Sequence, residues 1–343
     1  MDMCGNIIKR VRSIDTILIK KDKLHIAADI IKTGGTVVFP TETVYGIGAN
    51  ALSGAAVEKI FTAKNRPEDN PLIVHISDLS EIEALTIDFT ENAKILAKSF
   101  MPGPITLLLK KSEKIPSAVT AGLSTVGIRF PKNEIANELI RLSGLPIAAP
   151  SANISGELSG TTYNAVKAGL SGRVDCIIEG DDCDCGIEST VINVSCETPV
   201  ILRPGSITYE MIKEELPSVT FHPSLLSDEL FLEKPASPGM KYKHYAPKAK
   251  VVLVYGDIGN LKIKTGECVI CFQEDIDKFE KNVYNVGSKN DLTEMARLIF
   301  EKMRQADTQS YSTIYVPAVA ESGIGFSIMN RLKKSSGGEF ITI

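Results

Sequence analysis

Three short polar strings follow apolar or helical patterns, where an α/β fold displays side chains at the ends of its strands and helices. Pro-Thr-Glu-Thr-Val-Tyr-Gly at 40–46 follows the apolar run 36–39, and Ser151-Ala152-Asn153 follows the run 147–149. Lys64-Asn65-Arg66-Pro67 ends a helical pattern. Hydroxyls, cations and amides at such ends can build a binding site for a phosphorylated ligand. These strings therefore predict a phosphate-binding site.

Lys64 and Arg66 are the cations that would bind a phosphate at such a site. At the end of a helix they could simply complement the helix dipole. Pro67 pushes the preceding residue into an extended conformation, which would let Lys64 and Arg66 point to one side of the chain. Two converging cations repel each other unless an anion joins them. The pair therefore favours a triphosphate, with arginine binding in bidentate fashion and lysine acting as a point charge.

Other polar residues also lie at the ends of apolar runs. Ser189 precedes the run 190–194, Arg203 follows the run 200–202, and His75 closes the run 72–74, where a lone histidine is more often structural. Serines and asparagines at such points are also common turn residues. Arg129 lies inside an apolar strand and needs a partner, which a bound carboxylate could supply.

Taken together, the Pro-Thr-Glu-Thr-x-Tyr-Gly, Lys-x-Arg and Ser-x-Asn strings resemble the YrdC-type threonylcarbamoyl-adenylate synthases, over roughly residues 15–210. The segment 237–247 resembles the long form of that family, which carries a second domain. The resemblance implies a nucleotidyltransferase that joins L-threonine, bicarbonate or CO2, and ATP into L-threonylcarbamoyl-AMP and releases pyrophosphate. The product would pass to the machinery that places the threonylcarbamoyl group on tRNA. Mg²⁺ would arrive with ATP, since no carboxylate cluster in the sequence predicts a dedicated metal site.

The resemblance also implies roles for individual residues. It implies a catalytic group formed by Lys64, Arg66, Ser151 and Asn153. It implies ATP binding by Lys64, Arg66, Asn70, Thr125, Ser151, Ser159 and Arg203. It implies threonine binding by Thr43, Tyr45, His75, Arg129 and Ser189, with Arg129 facing the carboxylate. In the linker it implies Tyr242, His244 and Tyr245 as contacts of an active-site cover.

The pattern of apolar runs predicts an α/β protein with two domains. Residues 1–215 are expected to form a YrdC-like catalytic domain, for which the resemblance implies an open, twisted mixed sheet with helices. Five prolines interrupt residues 216–250, which are predicted to be a linker and active-site cover. Strand-helix alternation over residues 251–343 predicts a small Rossmann-like α/β domain.

Bulk properties narrow the functional class. A net charge of −4 and a pI near 5.7 argue against strong nucleic-acid binding without sequence preference, while weak RNA contact through a local patch stays open. No apolar run approaches the roughly 20 residues of a membrane span. The polar N-terminus without an export signal and the odd number of cysteines, seven, lead us to expect reduced thiols and a cytoplasmic location.

Two motifs have competing interpretations. Gly46-Ile47-Gly48-Ala49-Asn50-Ala51 fits the dinucleotide fingerprint, but polar residues precede it and the next helix is delayed, so a glycine turn is favoured over nicotinamide binding. Cys268 and Cys271 lie in a strand-like run that would point them to opposite faces. They are therefore interpreted as buried thiols rather than zinc ligands.

Two other functions are considered beside the synthase. One is a carbamoyl-adenylating transferase of the hydrogenase-maturation type, although no acylphosphatase or zinc-finger segment is visible. The other is a non-catalytic RNA-binding module, which the acidic balance and an aromatic content of 6% without tryptophan argue against.

Overall fold

The computed structural model describes residues 14–226 and 245–343, which form two α/β units. The strands of the first unit are β1 (Ile17–Ile19), β2 (Val37–Phe39), β3 (Gly46–Asn50), β4 (Ile73–His75), β5 (Ile105–Lys110), β6 (Thr125–Arg129), β7 (Ile147–Ala149), β8 (Cys176–Ile178), β9 (Thr190–Asn193), β10 (Val200–Arg203) and β11 (Thr220–Phe221). Its helices are α1 (Leu24–Lys32), α2 (Gly54–Lys64), α3 (Glu81–Leu85), α4 (Glu91–Phe100), α5 (Ser117–Thr120), α6 (Glu134–Ser143), α7 (Tyr163–Leu170) and α8 (Tyr209–Glu215).

The second unit is built from the remaining strands and helices. Its strands are β12 (Lys250–Tyr255), β13 (Glu267–Cys271), β14 (Val283–Asn285), β15 (Thr313–Pro317) and β16 (Phe340–Thr342), and its helices are α9 (Leu292–Thr308) and α10 (Ile324–Ser336). Short 3-10 helices lie at Lys21–Lys23, Pro223–Leu225, Ile258–Asn260 and Gln273–Lys278.

The two sheets differ in the direction of their strands. Within the described residues the first sheet has eleven strands in the order β1-β8-β2-β3-β7-β4-β6-β5-β9-β10-β11, and it mixes parallel and antiparallel pairs. The second sheet, in the order β14-β13-β15-β12-β16, is parallel throughout. The predicted fold class, a mixed sheet with helices followed by a small Rossmann-like α/β unit, is confirmed.

The register of the central strands brings two predicted site residues side by side. His75 ends β4 and pairs directly with Arg129 at the end of the parallel strand β6. On its other side β4 runs antiparallel to β7, after which Ser151 follows. The strand interiors are apolar and buried, so the polar residues at their ends are held on a rigid base.

The turn after α2 differs from the predicted extended stretch. Asn65 adopts the left-handed conformation, with φ 51° and ψ 42°, and the Arg66 amide donates to the Phe61 carbonyl at 2.9 Å. This is a common way to end a helix, and asparagine tolerates it better than most residues. The prediction that Lys64 and Arg66 lie on an extended stretch was therefore wrong, although the turn still brings both side chains to one place.

Residues 46–50 form a strand and not a glycine turn. Gly48 lies in β3 opposite Val37, and a Cβ atom added to it would meet Ile147 Cγ2 at 2.4 Å and Phe39 Cε1 at 2.7 Å. Glycine is thus required here by close packing against neighbouring side chains, which corrects the interpretation of this string as a turn.

The two units share a closely packed interface. Gly186, at φ 70°, lies so near α9 that an added Cβ would meet the Ala296 carbonyl oxygen and Arg297 Cα at 2.4 Å each. Leu158 and Ile187 of the first unit belong to the same apolar cluster as the core of the second. The second unit is therefore packed directly against loops of the first.

The segment predicted as a linker divides into three parts. Residues 216–226 include β11, which pairs with β10 and extends the first sheet. Tyr242 and His244 lie outside the described residues. Tyr245 is buried, stacks on Phe300 with ring centroids 5.2 Å apart, and its carbonyl accepts the Ser335 hydroxyl at 2.5 Å.

The two cysteines of β13 lie on opposite faces of the second sheet, as the two-residue period of a strand requires for residues three apart. Cys268 packs in the cluster that also holds Leu158, whereas Cys271 packs in the cluster on the other face of the second sheet. Burial raises the pKa of both thiols to about 12. Across the described parts of the chain, no helix combines the length and the apolar character needed to cross a membrane.

The packing of Gly48 gives a stability test with an internal control. Gly48→Ala should reduce the free energy of unfolding by about 1–3 kcal/mol, because the new methyl group has to displace Ile147 or Phe39. Gly169 is exposed in α7 and has nothing near its Cβ position, so Gly169→Ala should raise stability slightly, by up to about 1 kcal/mol. Thermal or denaturant unfolding of the two variants measures both effects. Equal stability of the two variants would contradict the packing argument.

Candidate active site

A cavity lies over the central strands β3, β7, β4 and β6 and includes about 700 Å³ of space, counting the part open to solvent. Its lining comes from elements distant in sequence and consists of Thr41, Val44, Tyr45, Gly46, Lys64, Arg66, Ile73, His75, Arg129, Ala149, Pro150, Ser151, Asn153, Ser155, Glu157, Ser159, Glu188, Arg203 and Tyr245.

Lys64, the last residue of α2, points away from its own helix. Its ammonium donates to the carbonyl oxygens of Ser151 and Asn153, the latter at 2.5 Å, and lies 3.4 Å from Asn153 Oδ1. Burial and the nearby charge of Arg66 hold the pKa of Lys64 well below its ordinary value. An anion bound beside it would favour the charged form.

Arg66 lies next to Lys64 and is 8% exposed. Its Nη2 donates to the carbonyl oxygens of Asn70, at 3.3 Å, and Pro71, at 3.2 Å. Asn70 does not line the cavity, and its buried Oδ1 accepts no hydrogen bond within the described residues. A buried amide oxygen normally accepts a hydrogen bond from a donor. If the side-chain amide is rotated by 180°, its nitrogen takes the place of the oxygen and needs an acceptor such as a phosphate oxygen.

The Ser-x-Asn string forms a compact loop beneath Lys64. Ser151 Oγ donates to Asn153 Oδ1 at 2.6 Å, and the Asn153 amide nitrogen donates to the carbonyl oxygens of Ile154 at 2.8 Å and Glu157 at 2.9 Å. The Asn153 side chain therefore holds the shape of the loop. The backbone carbonyls of Ser151 and Asn153 face Lys64 and orient its ammonium.

Arg129 has a carboxylate partner within the protein. Its Nη2 lies 2.9 Å from Glu42 Oε1, and the same nitrogen donates to the hydroxyls of Thr43 at 2.9 Å and Thr41 at 3.4 Å. Both charged side chains are 5% exposed. The partner that a charge in this apolar strand was predicted to need is therefore supplied, at least in part, by Glu42. Arg129 Nε nevertheless has no hydrogen-bond partner among the described residues.

His75 is neutral at physiological pH. Burial, followed by the charge of Arg129, lowers the pKa of the imidazole to about 3. Its Nδ1 lies 3.2 Å from the Ile73 carbonyl, and its ring meets Phe39 edge to face with centroids 6.0 Å apart. The ring can thus shape the cavity without adding a charge to it.

Arg203 ends β10 on the other side of the cavity. Its Nε donates to the Ser189 carbonyl at 3.0 Å and its Nη2 to the Ser189 hydroxyl at 3.1 Å. Burial lowers the pKa of Arg203 to about 10. Beside it, Ser159 donates its hydroxyl to Glu188 Oε1 at 2.6 Å.

The two tyrosines of the cavity are both fixed by hydrogen bonds or stacking. Tyr45 donates its hydroxyl to the Gly180 carbonyl at 2.8 Å, and burial raises the pKa of this phenol. Tyr245 enters the cavity from the start of the second unit.

The structure brings most of the predicted residues together, but not all of them. Those that line the cavity are Tyr45, Lys64, Arg66, His75, Arg129, Ser151, Asn153, Ser159, Arg203 and Tyr245. Thr43 and Ser189 lie behind it and hold Arg129 and Arg203, and Asn70 lies behind Arg66. Thr125 begins β6, at the opposite end of the strand from Arg129, and is not among the lining residues.

Five polar residues of the cavity and its wall, Thr41, Glu42, Ser155, Glu157 and Glu188, are not predicted by the sequence analysis. Thr41 and Glu42 lie in the Thr-Glu-Thr string and Glu188 directly precedes Ser189, so proximity to a predicted residue was the available signal. Ser155 and Glu157 had no such signal. Their positions matter because the lining residues combine four cations with only two carboxylates, Glu157 and Glu188. The cavity therefore favours an anionic ligand.

Comparison with known proteins extends these observations to the whole chain. Residues 29–205 match the Sua5_yciO_yrdC family model, described as "Telomere recombination", and residues 207–337 match the model of the threonylcarbamoyl-AMP synthase C-terminal domain. The threonylcarbamoyl-AMP synthase of Pyrococcus abyssi is 43% identical, with 95% of this chain and 97% of that protein covered. That of Bacillus subtilis is 42% identical, with 92% and 93% covered.

A solved structure agrees with this match. The crystal structure of P. abyssi Sua5 complexed with L-threonine has a TM-score of 0.86 and 41% identity, with 96% of this chain and 99% of that chain covered. Both domains of this chain are thus matched by proteins of one family. The chain belongs to the family of threonylcarbamoyl-AMP synthases, in the form that carries the additional C-terminal domain.

Proposed function

We propose that this protein joins L-threonine, bicarbonate or CO2, and ATP into L-threonylcarbamoyl-AMP and releases pyrophosphate. The observation that carries the proposal is the convergence of Lys64, Arg66, Arg129 and Arg203 in one cavity of a chain that belongs to this family. Four buried cations in one cavity suit a substrate pair that brings a triphosphate and a carboxylate.

Lys64 and Arg66 are proposed to bind the triphosphate. In the reaction, a carbamate oxygen formed on the threonine amine attacks the α-phosphorus, and the bond to pyrophosphate breaks. Negative charge grows on the transferring and leaving phosphates, so preorganised cations stabilise the transition state more than the bound substrate. The carbonyls of Ser151 and Asn153 hold the Lys64 ammonium in position beforehand, which reduces reorganisation during the reaction.

Arg129 is proposed to bind the threonine carboxylate through its Nε while Glu42 and Thr43 hold its Nη2. The structure of the P. abyssi relative contains L-threonine, which supports an amino-acid site in this family. Neutral His75, beside Arg129 on the next strand, would face the amino acid without competing for its carboxylate. Ser189 and Thr43 would act by holding the two arginines.

Three further aspects of the function are proposed. Mg²⁺ would enter as part of the ATP substrate, bound to its phosphates, and product would pass to the enzyme that modifies tRNA. The described residues include no group of three or more histidine, cysteine, aspartate or glutamate side chains that could hold a metal ion. The six described cysteines are free thiols, which is consistent with the proposed cytoplasmic location.

The substrate requirement tests the proposal directly. Incubation with ATP, bicarbonate and labelled threonine should give labelled threonylcarbamoyl-AMP, and pyrophosphate release should require threonine and bicarbonate together. If carbamoyl phosphate supported equal release in place of both, the carbamoyl-adenylating alternative would be correct.

Removal of a cavity cation should affect the rate of reaction. Arg66→Met should lower kcat/KM for ATP by a factor of hundreds, because loss of one preorganised charge contact costs about 3–4 kcal/mol in the transition state. Arg141 is an exposed arginine in α6 that pairs with Glu138, so Arg141→Met is the matched control and should retain the wild-type rate. Similar rates for the two variants would show that Arg66 is only structural.

The lowered pKa of Lys64 predicts an unusual pH dependence. The free enzyme should bind ATP less well as the pH rises through the pKa of Lys64, because the neutral amine no longer attracts phosphate. This fall in kcat/KM for ATP should begin below the range in which an ordinary lysine titrates, around pH 10.4. In Lys64→Arg the guanidinium does not titrate, so the alkaline fall should move to higher pH. Lys59→Arg, on the exposed side of α2, serves as the control, and identical profiles for all three proteins would refute the assignment.

A further inference from the structure

One arginine of the C-terminal unit reaches the wall of the cavity. Arg331 in α10 is 1% exposed and is the largest fully buried side chain of the described residues. Its Nε lies 3.4 Å from Glu188 Oε2, its Nη1 donates to the Pro204 carbonyl, and its Nη2 lies 3.5 Å from the Glu188 carbonyl. It therefore joins the loop before β9 to the loop after β10.

Two neighbouring contacts hold the same wall. Ser327, one turn before Arg331, donates its hydroxyl to the Gly205 carbonyl at 2.8 Å. Arg304 of α9 donates to the carbonyl oxygens of Leu158 at 2.9 Å and Ser159 at 3.0 Å. The C-terminal unit thus contacts the three loops that carry Ser159, Glu188 and Arg203.

Glu188 connects Arg331 to the cavity, because it contacts both Arg331 and Ser159. It lines the cavity, and its second oxygen accepts the Ser159 hydroxyl at 2.6 Å. Burial alone would raise the pKa of Glu188, but Arg331, Arg203 and the Ser159 hydroxyl outweigh burial and hold it below its ordinary value. Glu188 is therefore a carboxylate held by hydrogen bonds from both units, with Ser159 donating from the first and Arg331 and the Tyr245 side chain from the second.

The hydrogen bond to Glu188 determines whether the Ser159 hydroxyl can donate to a ligand or accept from it. A serine hydroxyl has one proton, and here that proton is donated to Glu188. The Ser159 oxygen can then only accept a hydrogen bond from a ligand. The donors on ATP are its ribose hydroxyls and its exocyclic amine.

We propose that Arg331 is a positioning residue for the nucleotide: it holds the Glu188 carboxylate, and Glu188 fixes the Ser159 hydroxyl as an acceptor facing ATP. This inference rests on the proposed function, since it takes ATP as the ligand of the cavity. It assigns the C-terminal unit a part in nucleotide binding although Arg331 itself is not among the residues that line the cavity.

The charged and titratable groups around Glu188 come from four places. They are Arg331 and Lys334 from α10, Arg203 from β10, Lys64 from α2, and Tyr245. Without Arg331 the burial of Glu188 remains, so its pKa should rise. Protonated Glu188 would then donate rather than accept, and Ser159 would lose its fixed orientation.

The test compares Arg331→Met, Glu188→Gln and the double variant with the wild type. In Arg331→Met, the KM for ATP and the Kd of ATP from calorimetry should rise about tenfold or more, as for loss of a hydrogen bond to a charged group. The KM for threonine and kcat should change by less than about threefold. Lys333→Met is the control and should behave as wild type, because Lys333 lies on the same helix as Arg331 but pairs with Glu321, which precedes that helix.

A pH series separates positioning from general loss of structure. In Arg331→Met the Kd of ATP should rise as the pH falls, starting at a higher pH than in wild type, because Glu188 without Arg331 is protonated more readily. The double variant with Glu188→Gln has no carboxylate there and should lose this acid dependence. Arg331→Lys, which keeps the positive charge, should recover part of the affinity.

The outcomes distinguish this inference from the proposed function. If wild type binds ATP but forms no threonylcarbamoyl-AMP, the proposed function fails, while the ATP-binding arm still tests Arg331. An unchanged Kd of ATP in folded Arg331→Met, or an equal loss for ATP and threonine, would overturn the inference. Should Arg331→Met fail to fold by circular dichroism, the double variant and Arg331→Lys provide the same comparison.

Discussion

Mutual repulsion of buried positive charges is the constraint that the rest of this structure has to meet. Lys64, Arg66, Arg129 and Arg203 are each at most 8% exposed and line one cavity. Charges taken out of water are costly unless they are paired or hydrogen-bonded. Each of these cations is accordingly held by a different set of protein oxygens, drawn from separate loops and strands. This arrangement lowers the stability of the folded protein, but the cations are already in position when an anion binds.

The compensating groups come from unequal distances along the chain. Asn70 and Pro71 hold Arg66 from just beyond it in the sequence. Glu42, in the loop before β3, contacts Arg129 although β7 and β4 separate β3 from β6 in the sheet. The carboxylate of Glu188 needs a partner from the second unit. The cavity is therefore a product of the whole fold, although most of its lining belongs to the first unit.

This difference explains what the sequence could and could not predict. The strands that end at His75 and Arg129, and the loop at Ser151, follow from short apolar runs, and the structure places all three residues in the lining of one cavity. The left-handed turn at Asn65 was missed, because Pro67 suggested an extended chain while the helix end dictated the geometry. The Glu42 partner of Arg129 and the Arg331 partner of Glu188 depend on contacts between distant segments, which leave no local pattern.

The close approach of α9 to Gly186 has a consequence for the design of chimeric proteins. Exchange of the C-terminal unit between members of this family would have to preserve a matched surface, not merely a matching linker length. A recipient with any side chain at position 186 would hold α9 away from the first unit, since even a methyl group would overlap the backbone of Ala296 and Arg297. Recombination points should therefore leave Gly186 and the helix that packs on it in the same parental segment.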